Sequence, residues 1–141
     1  MRTDQRVAVI LGAADGLTLA VSELIGLHAK HQGAIFASGL SAGLAELVGM
    51  TAALWLSSES RSNFLTALGC GIATLLACVL PCVPYAISRG TAALIPAAVI
   101  TLALGAVICW LRPEKGAKAI AETYGVLVLA GALCYAASLI R

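Results

Sequence analysis

The stretch LGAADGLTLAVSELIGL, Leu11–Leu27, decides how the rest of the chain is read. It is long and apolar enough to cross a bilayer, which takes about 20 such residues. It also carries two carboxylates, Asp15 and Glu23. In a soluble protein the stretch would be too greasy for a surface. In a bilayer its acids must have a reason to be there.

The remainder of the chain resolves the choice. Of 141 residues, 60% are hydrophobic and 11% charged, and the mean hydropathy is +0.97. A soluble domain has about 25% charged residues. This chain lacks the polar side chains to coat a water-facing surface. A net charge of +2, with no basic patch, points to no nucleic-acid partner. The five cysteines are odd in number and irregularly spaced, so they form no disulfide framework. The opening MRTDQR is followed by a segment too long, and too acidic at Asp15, for a cleavable signal.

Five segments qualify as spans: Val7–Leu27, Ala34–Leu56, Phe64–Ile87, Thr91–Leu111 and Ala119–Ile140. The expected fold is therefore an all-α membrane bundle of five transmembrane helices in a single domain, 1–141. The breaks HAKHQG, SSESRSN, SRG and RPEKGAK are short, so the positive-inside rule applies. One side receives Arg2, Arg6, Arg61, Arg112, Lys115 and Lys118; the other receives Lys30, Arg89 and Arg141. This places the N-terminus inside and the C-terminus outside. Trp55, Phe64, Trp110 and Tyr124 fall near the inner boundary, and Phe36, Tyr85 and Tyr135 toward the outer one. Pro81 and Pro84 break the third span late, because each removes a backbone donor. Pro96 is expected to bend the fourth.

Asp15 lies nine residues after Arg6, roughly 13 Å into the membrane at 1.5 Å per residue. Glu23 lies further toward the outer side, and Glu46 near the middle of the second span. Ionisable residues at such depth are costly and mark functional sites. At about 100° per residue, Gly12, Gly16 and Glu23 share a sector of the first helix beside Asp15. Gly39, Gly43, Glu46 and Met50 form a stripe on the second. Glycines four apart let membrane helices approach closely, so the two stripes are expected to meet and bring Asp15, Glu46 and Met50 together. No Lys, Arg or His lies at comparable depth. The acids must then hold protons, a cation, or both. Carboxylates with one thioether suit a divalent ion of intermediate hardness, such as Fe²⁺ or Mn²⁺.

These motifs, in this order, resemble the vacuolar iron transporter family of five-helix divalent-metal transporters. The first helix carries an Asp-Gly opening, Asp15–Gly16, with Gly26 ten residues on. The second carries a Met-centred segment, GMTAALWLSSES, and the third a Pro-x-x-Pro-aromatic motif, PCVPY. GALCYAASLI in the fifth helix has the family's small-residue and tyrosine character. The resemblance implies a homodimer in the lipid bilayer. It implies a path between the first two helices of both protomers, and export of Fe²⁺ or Mn²⁺ from the cytoplasm in exchange for protons. Asp15 matches the first-helix acid, Met50 the second-helix methionine, and Glu46 a position that is acidic in some members. Two departures stand out. Ala53 and Leu54 replace the family's Gly-acid pair, and SSESRSN stands where larger members carry a Glu-rich cytosolic insert. Glu23 lies outside the pattern.

The metal and proton path is thus assigned to Asp15, Glu23, Glu46 and Met50, with Asp15, Glu46 and Met50 as the metal ligands. Gly12, Gly16, Gly39 and Gly43 pack the helices and line the path. Secondary candidates are a thiol pair, Cys78 and Cys82; an exit-side pair, His28 and His31; and entry-side acids, Glu59 and Glu122. No phosphate loop, paired-Cys motif or nucleophile–base arrangement points to an enzyme. The expected location is a prokaryotic plasma membrane. The alternatives are a non-transporting membrane scaffold that keeps the family fold, and a transporter of another cation.

Overall fold

A computed structural model describes residues 3–28, 31–57 and 63–139. Among them every regular element is helical. The long helices are α1 (Thr3–His28), α2 (Ile35–Ser57), α3 (Phe64–Val79), α5 (Thr91–Leu111) and α6 (Ala117–Leu139); α4 (Pro84–Ile87) is a single turn. Five segments are long and apolar enough to cross a membrane. Thr91–Leu111 is reproduced to the residue, and the other spans differ from the sequence expectation mainly at their ends. The loop segments bearing Lys30, Glu59 and Arg61, and the terminal Arg2, Ile140 and Arg141, lie outside the described residues.

The third span departs from expectation. The sequence predicts a span running to Ile87, but α3 stops at Val79 and a 3₁₀ turn, Leu80–Cys82, leads into α4. Pro81 and Pro84 cannot donate to the preceding turn. The Val83 amide instead reaches back to the carbonyls of Val79 (3.2 Å) and Leu80 (3.3 Å). The Cys82 thiol donates to the Cys78 carbonyl at 3.4 Å. Both prolines are therefore at the break in the α-helical ladder, and neighbouring groups satisfy part of the backbone there, as such a break at membrane depth requires. α5 is preceded by Gly90, whose φ of 64° favours glycine, and whose amide donates to Gln32 Oε1 at 2.9 Å. α5 then continues through Pro96 as one helix.

The interior is built from small residues: Ala8, Ala20, Ala67, Ala77, Ala93 and Ala97 are buried, together with Cys70, Cys78 and Cys82. Large aliphatic side chains such as Val48, Ile95, Val128 and Leu133 point outward. This inverts the arrangement of a water-soluble bundle and suits a lipid surround, where close packing of small residues holds helices together. Leu17, Ala77, Ile108 and Leu127 join α1, α3, α5 and α6 in one cluster. A second cluster, Leu24, Ile35, Cys82, Tyr85, Ala93 and Ala97, closes the His28 end.

α3 is the hub. It packs most extensively against α1 and then α2, whereas α1 and α2 touch each other far less. This corrects the expectation that the glycine stripes of α1 and α2 meet. A β-carbon on Gly12 would collide with the Cys70 carbonyl, and one on Gly16 with the Thr74 carbonyl. On α2, a β-carbon on Gly39 would lie 2.6 Å from Cys82 Sγ, and one on Gly43 3.0 Å from Leu75. Both stripes dock on α3. The reason is that α3 also presents small residues, Cys70, Gly71, Thr74 and Cys78, along its length. Two glycine faces reach closer contact with such a helix on either side than with each other.

One polar atom in this packing lacks a partner. Thr51 Oγ1 is buried without a hydrogen bond among the described residues, on the α2 face that meets Gly71. An orphaned hydroxyl costs stability that an isosteric apolar group does not. Thr51→Val should therefore leave unfolding unchanged or raise stability by about 1 kcal/mol, measured by thermal unfolding in detergent. A clear loss would show that the hydroxyl has a partner in the membrane.

Candidate functional site

Asp15 and Glu23 are both half-buried on α1, and Glu46 and Met50 are half-buried on α2. The Ser38 hydroxyl of α2 donates to Glu23 Oε2 at 2.7 Å. This contact ties α1 to α2 near the His28 end and gives Glu23 a partner that sequence reasoning did not identify. On the α2 wheel, Glu46 lies midway between Ser38, which faces α1, and Gly43, which faces α3. Glu46 thus lies on the flank of α2 between its α1-facing and α3-facing sides.

Asp15, Glu23 and Glu46 all lie within electrostatic reach of the buried Cys78 thiol of α3. The three acids therefore lie beside the same stretch of the hub helix, although the glycine stripes next to them do not meet. Neither the Asp15 nor the Glu46 carboxylate has a hydrogen-bond or ion-pair partner among the described residues. The convergence stops short of a metal cage. Among the described residues of one chain, no three His, Cys, Asp or Glu side chains are grouped closely enough to hold an ion.

The secondary candidates are placed as follows. Cys78 Sγ donates to the Gly39 carbonyl at 3.4 Å and Cys82 Sγ to the Cys78 carbonyl, so both thiols act as buried packing groups bonded to backbone. His28 Nδ1 lies 2.8 Å from the Tyr85 hydroxyl, with the rings edge-on at 6.0 Å; His31 is exposed. Glu122 pairs with Arg112 and, at 3.8 Å, with Lys118. Glu59 lies outside the described residues.

The charges also sort by end. Arg6 donates to the Leu111 carbonyl and Lys115 to the Trp110 carbonyl, which gathers them with Arg112 and Lys118 where α5 ends and α6 begins. Arg89 lies at the opposite end, its guanidinium over Gly33. Trp55 and Phe64 meet edge-on at 5.7 Å between the end of α2 and the start of α3. Tyr124 departs from a simple boundary position: it packs over Gly105 and donates to the Leu102 carbonyl at 2.8 Å, joining α6 to α5.

The fold and site together define an all-helical protein with five helices suited to a membrane and a group of acids at span depth. Compared with family models, curated proteins and solved structures, the chain matches none.

Proposed function

We propose that the protein is a membrane transporter that exports a divalent transition metal, Fe²⁺ or Mn²⁺, from the cytoplasm in exchange for protons. The observation that carries this reading is that Asp15, Glu23 and Glu46 lie within the candidate spans, with Asp15 and Glu46 unpartnered among the described residues. Carboxylates at that depth are costly unless they take protons or a cation. Alternation between the two is the chemistry of an antiporter. Met50, on the same side of α2 as Glu46, adds a soft thioether suited to Fe²⁺ or Mn²⁺ over Mg²⁺.

The described residues of one chain group too few ligands in one place. In the proposed assembly two protomers face each other, so that Asp15, Glu46 and Met50 of both line a shared path. Glu23, held by Ser38, stands on the outer side of that path and passes protons to it. In this reading the gathered cations put the Arg112 end in the cytoplasm, by the positive-inside rule, and the membrane is a prokaryotic plasma membrane.

The test is reconstitution in liposomes with a metal-sensitive dye inside. An imposed pH gradient should drive Fe²⁺ or Mn²⁺ across the membrane in the wild type. Absence of metal flux under every gradient would refute transport and favour a membrane scaffold. Single cysteines at Lys115 and Arg89 in a cysteine-free background should be labelled from opposite sides, position 89 from outside.

A further inference from the structure

A second feature lies on the face of α1 opposite Gly12 and Gly16. A crevice of about 560 Å³ runs between α1, the end of α5 and α6. Its walls are Val7, Leu11, Ala14, Leu17, Ile108 and Val126, with few polar groups along them. The Thr18 hydroxyl at its deep end is turned to the Asp15 carbonyl at 2.7 Å. Every charged residue of the lining, Arg112, Glu114 and Glu122, sits at the other end, where α5 stops and α6 starts.

We propose that this crevice seats one acyl chain of a phospholipid whose headgroup carries a phosphate and a primary ammonium. Three observations select that occupant. The first is length. From Val7 to Thr18 the crevice follows α1 for eleven residues, about 16 Å, which is half of a hydrocarbon core of about 30 Å. A partner helix needs a groove through the whole span, whereas a lipid tail needs one leaflet. The second is position: the charged mouth lies at the ends of two spans, at headgroup height. The third is charge. The mouth carries both signs. Arg112 lines the mouth and donates to Glu122, Thr123 and the Ala119 carbonyl, and Arg6 lies nearby on the Leu111 carbonyl, so positive charge is available there for a phosphate. Glu114 is exposed and, among the described residues, is paired with Lys118 alone at 3.6 Å, so its carboxylate is open to an ammonium N–H. A headgroup without an ammonium would leave the exposed Glu114 carboxylate without a lipid donor, and a trimethylammonium has no N–H to donate.

The test uses the full-length protein in mild detergent, with native mass spectrometry and thermal unfolding in the presence of phosphatidylethanolamine, phosphatidylcholine or phosphatidylglycerol. Phosphatidylethanolamine should be retained about tenfold more strongly than the other two, the size of one charge-assisted hydrogen bond. Glu114→Gln should remove the preference over phosphatidylcholine. Val126→Phe, at an exposed wall position, should fill the crevice and abolish retention, as should Val7→Phe from the opposite wall. Equal retention of the three lipids by the wild type would overturn the proposal. So would retention unchanged in both Phe variants, or Phe variants that only convert a dimer to a monomer.

Discussion

Gly16→Ala should destabilise the protein by about 1–3 kcal/mol, while Gly26→Ala, ten residues along the same helix, should stabilise it by about 0.5–1 kcal/mol. The chemical change is identical; the surroundings are opposite. A β-carbon on Gly16 would overlap the carbonyl oxygen and carbon of Thr74, and would lie 2.9 Å from its Cα. These are backbone atoms of the hub helix, and no rotamer change relieves the clash. α1 and α3 would have to separate along their closest line of approach. That would loosen the Leu17–Ala77 contact as well. A β-carbon on Gly26 would meet nothing within 4 Å, so alanine there only removes backbone freedom from the unfolded chain. Paired unfolding curves in one detergent measure both. Equal effects of the two substitutions would refute close glycine packing of α1 on α3. Gly12→Ala should follow Gly16→Ala, because its β-carbon meets the Cys70 carbonyl.

Asp15→Asn should lower metal flux about a hundredfold or more, equivalent to ~2.7 kcal/mol of barrier, and leave unfolding stability unchanged or slightly raised. Two physical arguments combine. Asparagine is nearly isosteric but can carry neither the proton nor the charge that draws a cation, so both half-reactions of an exchanger fail. The Asp15 carboxylate also has no hydrogen-bond or ion-pair partner among the described residues, so no structural contact is lost. Removing a costly ionisable group from span depth favours the fold if anything. A structural role predicts the reverse pattern. An acid serving as interhelical hydrogen-bond glue would lose about 0.6–2 kcal/mol of stability with flux nearly intact. Glu46→Gln should resemble Asp15→Asn. Glu23→Gln should differ, because Ser38 can still donate to the amide oxygen; it should slow proton-coupled flux while keeping the α1–α2 contact. Flux that survives both Asp15→Asn and Glu46→Gln would refute the assignment of these residues to the path.

The span count and the acids at depth were legible in the sequence because each rests on local information. Thr91–Leu111 is bounded by SRG and RPEKGAK, and a run of apolar residues between such breaks has few alternatives. The break at Pro81 and Pro84 was equally local, since a missing amide acts within one turn. Its extent was not. That α3 ends at Val79, and that thiols of Cys78 and Cys82 take up backbone carbonyls around the break, depends on what lies beside them. The Glu23–Ser38 bond had one available signal, a hydroxyl early in the second span opposite an acid late in the first. Serines are common in such helices, so that signal alone does not select Ser38.

The sequence by itself determined that five helices suit a membrane and that Asp15, Glu23 and Glu46 sit within them, because hydropathy and helical rise are properties of each segment alone. Only the tertiary structure decided which helix each glycine face meets. Helical periodicity shows that Gly12 and Gly16 share a face, and that Gly39 and Gly43 share another, but a smooth face fits any other smooth face. α3, with Cys70, Gly71, Thr74 and Cys78 along it, is smooth on the sides presented to both. It therefore lies between the two stripes, and α1 and α2 touch each other far less, with Ser38 donating to Glu23 where they do.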